Sequence, residues 1–98
     1  MDSADISGLR IEFFTSPTCV RCPRVKQMLE QLLGERGLDF NQVVKIRNTG
    51  DDPDAMTDMM MLNSYSTPTV KINDKVLIGD ITEAQLREAL GMEVNGGR

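Results

Sequence analysis

Cys19 and Cys22 are the only two cysteines of this chain, and they lie three apart in Thr18-Cys19-Val20-Arg21-Cys22-Pro23. A hydrophobic strand pattern, Leu9 to Phe14, precedes them, and a helical pattern, Val25 to Leu33, follows. Two thiols at a strand-to-helix junction in a small α/β chain point to redox chemistry. In the first turn of a helix, free N–H groups and the positive end of the dipole favour a thiolate. The i, i+3 spacing puts both sulfurs on one face, so that Cys19 can attack a disulfide and Cys22 can resolve the adduct. Two other chemistries stay open for the pair. Two sulfurs are half of a zinc or iron–sulfur site, which a second chain could complete. They could also be inert thiols in a module that keeps only the fold.

Composition narrows the choice. The 98 residues make one domain, with a core of about 9–90 and flexible ends at 1–8 and 92–98. There is no histidine, which removes Cys–His hydrolases and most catalytic zinc sites. A net charge of −4 without a basic run argues against a nucleic-acid partner. No apolar run approaches a membrane span, and the polar, acidic start is not that of a signal peptide. The expected setting is the cytoplasm, where a cysteine pair is more often catalytic or metal-binding than a structural staple.

The elements that must position the pair follow from periodicity. Leu9, Ile11 and Phe13 alternate as a strand, and Phe14 adds apolar area on its second face. Thr15 to Thr18 is loop. Val25, Met28, Leu29, Leu32 and Leu33 form a helical stripe, with Pro23 in the first turn and Gly34 and Gly37 as candidate stops. Leu38 to Ile46 reads as the second strand, with Leu38, Phe40, Val44 and Ile46 on one face. Asp52-Pro53 opens a second helix whose buried side is Met56, Met59, Met60 and Leu62. After a polar loop from Asn63, Val70 to Ile72 and Lys75 to Ile78 form a hairpin about Asn73-Asp74. Gly79 ends it. Asp80 or Thr82 caps a last helix, with Glu83 or Gln85 as capping-box partner, and Gly91 stops it. The order is β-α-β-α-β-β-α, an α/β chain with a central four-stranded mixed sheet flanked by helices.

With these residues in place, the chain resembles the thioredoxin-fold oxidoreductases over about residues 9–90. Ile11-Glu12-Phe13-Phe14-Thr15 through Thr18-Cys19 looks most like the start of a small glutaredoxin, and Cys19-Val20-Arg21-Cys22 sits where those proteins keep their dithiol. Thr67-Pro68-Thr69 matches the family's cis-proline loop and is closer to the thioredoxin form. The resemblance implies a cis Pro68 that faces the dithiol and a Thr67 backbone that docks an extended substrate. The chain departs from the family in three places. Its inner pair is Val-Arg. The buried aspartate of thioredoxins has no counterpart, the nearest acid being Glu12, expected to point outward or to an edge. The glutathione-holding motif of glutaredoxins shrinks to Gly79-Asp80.

The expected activity is reduction of protein disulfides, with Cys19 as nucleophile and Cys22 as resolving thiol. Thr67, Pro68, Arg21 and Tyr65 are the candidate substrate-binding residues, although Tyr65 could simply pack. Arg21 or Arg24 would favour the thiolate, and with Lys26 attract an acidic partner. No cofactor and no metal are expected. The partners are disulfide-containing proteins and a reductase or low-molecular-weight thiol as electron donor, with the chain acting as a monomer.

Overall fold

The computed structural model describes residues 9–91. In chain order its elements are β1 (Ile11–Thr15), α1 (Cys22–Glu35), α2 (Phe40–Val43), β2 (Val44–Asn48), α3 (Pro53–Met61), β3 (Thr69–Ile72), β4 (Lys75–Ile78) and α4 (Glu83–Ala89). The strands form one mixed sheet in the order β2-β1-β3-β4. β1 is parallel to β2, with Phe13 opposite Ile46, and antiparallel to β3, with Phe13 opposite Val70. β3 and β4 form the antiparallel hairpin. Asn73 turns it with φ +55° and caps the backbone N–H of Arg10 through its side-chain oxygen at 2.8 Å.

Two apolar layers fix the sheet between helices. Ile11, Phe13, Val70 and Ile72 pack with Val25, Leu29, Leu32 and Leu33 of α1 and with Leu86 of α4. On the opposite face Phe14 packs with Ala55 and Met59 of α3. α1 opens with proline in its first turn, and Gly37, at φ +73°, lets the chain turn away after it. Gly34 lies inside the helix and is not the stop. Asp52 caps α3 by accepting from the Asp54 N–H at 3.0 Å. Thr82 and Gln85 close a reciprocal capping box on α4.

Two elements differ from those the sequence predicts. The expected strand from Leu38 to Ile46 is a helical turn, α2, followed by β2. Asp39 caps α2 by accepting from the Asn41 N–H, and Phe40 is buried beneath α1. β2 is an edge strand; Val44 and Ile46, opposite Ile11 and Phe13, keep the expected common face, but only Val44 is buried on it. The expected buried side of α3 holds only in part, with Met59 buried and Leu62 packed against the Phe14 cluster. Ala55 and Met59 fill the contact with Phe14, whereas Met56 and Met60 are exposed. The ends at 1–8 and 92–98 lie outside the described residues.

Candidate active site

Four connections meet at one end of the sheet. β1 and β2 run parallel, so the loops after Thr15 and after Asn48 leave from the same edge. β3 runs the other way, so the loop before Thr69 arrives there, and β4 ends there at Ile78. The dithiol sits in the first of these connections, where an α/β sheet offers its crevice.

Cys19 and Cys22 are joined as a disulfide with their Cα atoms 5.5 Å apart. Cys22 is the first residue of α1, and Cys19 stands in the loop just before it, not in the helix's first turn as the spacing suggested. A turn from Ser16 to Cys19 carries the first sulfur, closed by the Cys19 N–H donating to the Ser16 carbonyl at 3.2 Å, with Pro17 at the position that favours proline. The two sulfurs differ in setting. Cys22 is 5% exposed and belongs to the core cluster with Phe13 and Val25, whereas Cys19 is only half-buried. Val20 between them is 89% exposed, an apolar side chain on the open face.

The loop before β3 comes up beside this turn. The Thr67–Pro68 peptide bond is cis, as the resemblance implies. The Ser16 and Thr67 hydroxyls are 3.1 Å apart, and the Pro68 carbonyl accepts from the Gly79 N–H at 2.9 Å. Behind it lies a buried polar cluster that sequence reasoning missed. The Ser64 and Thr69 hydroxyls meet at 2.7 Å, and the Thr69 hydroxyl donates to the Ser66 carbonyl at 2.8 Å. Both side chains are buried, so their hydrogen bonds are confined to one another and to the loop they brace.

A groove of about 410 Å³ runs between the Cys19 turn and α3. Pro17, Thr18, Gly50, Met56, Tyr65 and Thr67 are among its walls. Tyr65 is 74% exposed, so it lines the groove and does not pack into the core. Arg21 faces Asp80, with Nε 3.7 Å from the carboxylate, and both side chains are exposed. Lys26 is occupied on its own helix, 3.9 Å from Glu30 and over the ring of Phe40, so it belongs to the solvated face. Glu12 reaches to the edge strand β2, the second of its two expected settings. It is half-buried on the α3 side of the sheet, 3.4 Å from Arg47, which also donates to Asp58 at 2.8 Å. That hydrogen bond to Asp58 is the main reason why the Arg47 guanidinium pKa is raised.

The arrangement provides a reversible dithiol–disulfide couple with one accessible and one shielded sulfur, beside a groove lined by hydroxyl-bearing and apolar side chains. Among the described residues, no group of three or more His, Cys, Asp or Glu could hold a metal ion, and no helix is long and apolar enough to cross a membrane.

Known proteins share this plan. The thioredoxin domain family model matches residues 9–91. A thioredoxin of Methanocaldococcus jannaschii is 35% identical over 86 residues, which is 87% of this chain and 95% of that protein. A probable thioredoxin of Archaeoglobus fulgidus is 28% identical over 88 residues, 89% of this chain and 90% of that protein. Among solved structures, the thioredoxin-like protein BC3987 superposes with a TM-score of 0.63 at 27% identity, over 82% of this chain and 99% of that one. The oxidised thioredoxin of Plasmodium falciparum, at 20% identity and a TM-score of 0.56 over 93% of this chain and 89% of that one, shares the fold. With a CxxC disulfide at the head of its first long helix and a family match across all the described residues, the chain belongs to the thioredoxin family and is a thiol–disulfide oxidoreductase.

Proposed function

We propose that the chain reduces disulfides in protein substrates, with Cys19 attacking and Cys22 resolving. The observation that carries the assignment of roles is the difference in exposure between the two sulfurs: Cys19 is half-buried and Cys22 only 5% exposed. In the reduced protein the Cys19 thiolate attacks one sulfur of the substrate disulfide. A mixed disulfide forms, and the other substrate sulfur leaves as a thiolate. Cys22, deprotonated, then attacks the Cys19 sulfur. The Cys19–Cys22 bond closes, and the second substrate sulfur leaves as thiolate. Two electrons have passed from the dithiol to the substrate. A reductase or a low-molecular-weight thiol returns them and reopens the pair.

Docking falls to the groove. The Thr67-Pro68 edge offers main chain to an extended substrate segment, in the manner of an added strand. Tyr65 and Arg21 add side-chain contacts to that segment. One chain carries every group used, so it acts as a monomer, in the reducing cytoplasm where such a couple is kept open.

The test is insulin reduction driven by dithiothreitol. The wild type should accelerate it, and Cys19→Ser should abolish the effect. Cys22→Ser should accumulate a mixed disulfide visible on a non-reducing gel. Retained turnover in Cys19→Ser removes the assignment. Supplying a flavoprotein reductase, then glutathione, as sole donor distinguishes the two sources of electrons.

A further inference from the structure

The turn that carries Cys19 is held from two sides. On one side the Ser16 hydroxyl meets that of Thr67. On the other the chain leaving β2 runs against Pro17. A Cβ added to Gly50 would lie 2.6 Å from Pro17 Cδ, 3.1 Å from its Cγ and 3.2 Å from Asn48 Oδ1. Real Cβ contacts do not fall below 3.0 Å. Gly50 is not among the glycines with positive φ, so what the position needs is space rather than a special backbone conformation.

The collision could not be relieved cheaply. Pro17 Cδ is bonded to its own backbone nitrogen, so it cannot swing aside like the end of a lysine. The turn on the other side is pinned as well. Thr49 donates to the Thr15 carbonyl from its N–H at 2.8 Å and from its hydroxyl at 3.2 Å, and the Gly50 N–H donates to Asn48 Oδ1 at 2.8 Å. What yields is therefore the backbone at Pro17. Pro17 is the second residue of the turn whose closing hydrogen bond is made by Cys19 itself.

We infer that Gly50 is a positioning residue for Cys19. Its bare α carbon lets the β2–α3 connection lie flat against the Pro17 ring, which sets where the first sulfur stands relative to Cys22 and to the Thr67 edge. The inference rests on Cys19 being the attacking thiol. Exchange needs the incoming, central and leaving sulfurs in register, so a small displacement of the turn is felt in the rate.

The experiment compares the wild type, Gly50→Ala, Pro17→Ala, the double variant and Cys19→Ser. Each is followed by dithiothreitol-driven insulin reduction, by the pH profile of Cys19 alkylation, and by circular dichroism for folding. Gly50→Ala should stay folded, lose on the order of tenfold in kcat/KM, and show an altered alkylation profile. Adding Pro17→Ala should restore most of that loss, because the ring atoms in the two tightest contacts are gone. A folded Gly50→Ala with wild-type turnover and profile overturns the inference, and so does a loss that the double variant does not relieve. Should Gly50→Ala not fold, the double variant is compared with Pro17→Ala alone. Equal turnover of those two supports the inference, and a further loss in the double variant overturns it. Turnover retained in Cys19→Ser would instead remove the role of Cys19, whatever Gly50 does.

Discussion

The hydroxyls of Ser16 and Thr67, 51 residues apart in sequence, meet at 3.1 Å and join the turn before the first sulfur to the loop that carries the cis Pro68. In the proposed mechanism this contact steadies the docking edge. Removing it by Thr67→Val should raise KM for insulin about fivefold, the equivalent of one ordinary hydrogen bond of about 1 kcal/mol. The alkylation rate of reduced Cys19 should stay unchanged. Thr67→Ser should keep the wild-type KM. Equal KM for Thr67→Val and wild type would show that the two loops hold their places without the bond.

The groove wall makes a separate prediction. Met56 and Tyr65 both line the groove and both are exposed. Tyr65→Ala and Met56→Ala should each raise KM for a protein disulfide by about three- to tenfold, as expected for loss of a large apolar contact at an interface. Reduction of a small disulfide such as oxidised glutathione, which does not span the groove, should be unaffected. Parallel losses on both substrates would place these side chains in structure rather than in recognition.

Arg47 holds the underside of the sheet. It donates to Asp58 at 2.8 Å, lies 3.4 Å from Glu12, and has its guanidinium carbon 5.5 Å from the centre of the Phe14 ring. Arg47→Met should lower the free energy of unfolding by about 1–2 kcal/mol, read from urea melts, and the difference should shrink in high salt. Because the folded-state pKa of Arg47 is raised, the group adds stability at every pH below its unfolded value, and that contribution fades only as pH climbs through the folded value. Between about pH 6 and about pH 9, far below any arginine pKa, its own titration should add no slope to the difference.

Thr82 and Gln85, the capping box of α4, do not line the groove and serve as a control. Thr82 accepts from the Gln85 N–H at 3.2 Å, and the Gln85 side chain accepts from the Thr82 N–H at 2.9 Å. Thr82→Ala should cost about 1 kcal/mol of stability and leave insulin reduction at room temperature as in the wild type. Lost turnover in a folded Thr82→Ala would mean that α4 bears on the dithiol.

The parts legible in the sequence were those encoded by neighbours in the chain. The α1 stripe, the Asp52 cap and the Thr82–Gln85 box each need only a few consecutive residues, and each stands where those residues place it, whereas the thiol pair is displaced toward the loop, with Cys19 ahead of the helix. α2 escaped because Leu38, Phe40, Val44 and Ile46 also fit a strand's alternation. What decides for a helical turn is the Asp39 cap and the burial of Phe40 under α1, a tertiary contact. Met56 and Met60 escaped for a related reason: Ala55 and Met59, with Leu62 beside them, fill the space beneath Phe14, and no helical period says how wide that contact is. The close approach of Gly50 to Pro17 and the Ser64–Thr69 pair join segments brought together only by folding, so a motif search passes over them.

β1 lies in the interior of the sheet, with β2 on one side and β3 on the other. Vectorial synthesis therefore delivers the cysteine-bearing segment long before its second partner. Until Ile72 has cleared the ribosome, one flank of β1 has no ladder to join, so ribosome-stalled chains that end before residue 72 should be cut by trypsin where the released protein resists it. The thiols, only three residues apart, are under no such delay, and they can meet an oxidant before there is a fold to shelter the second of them.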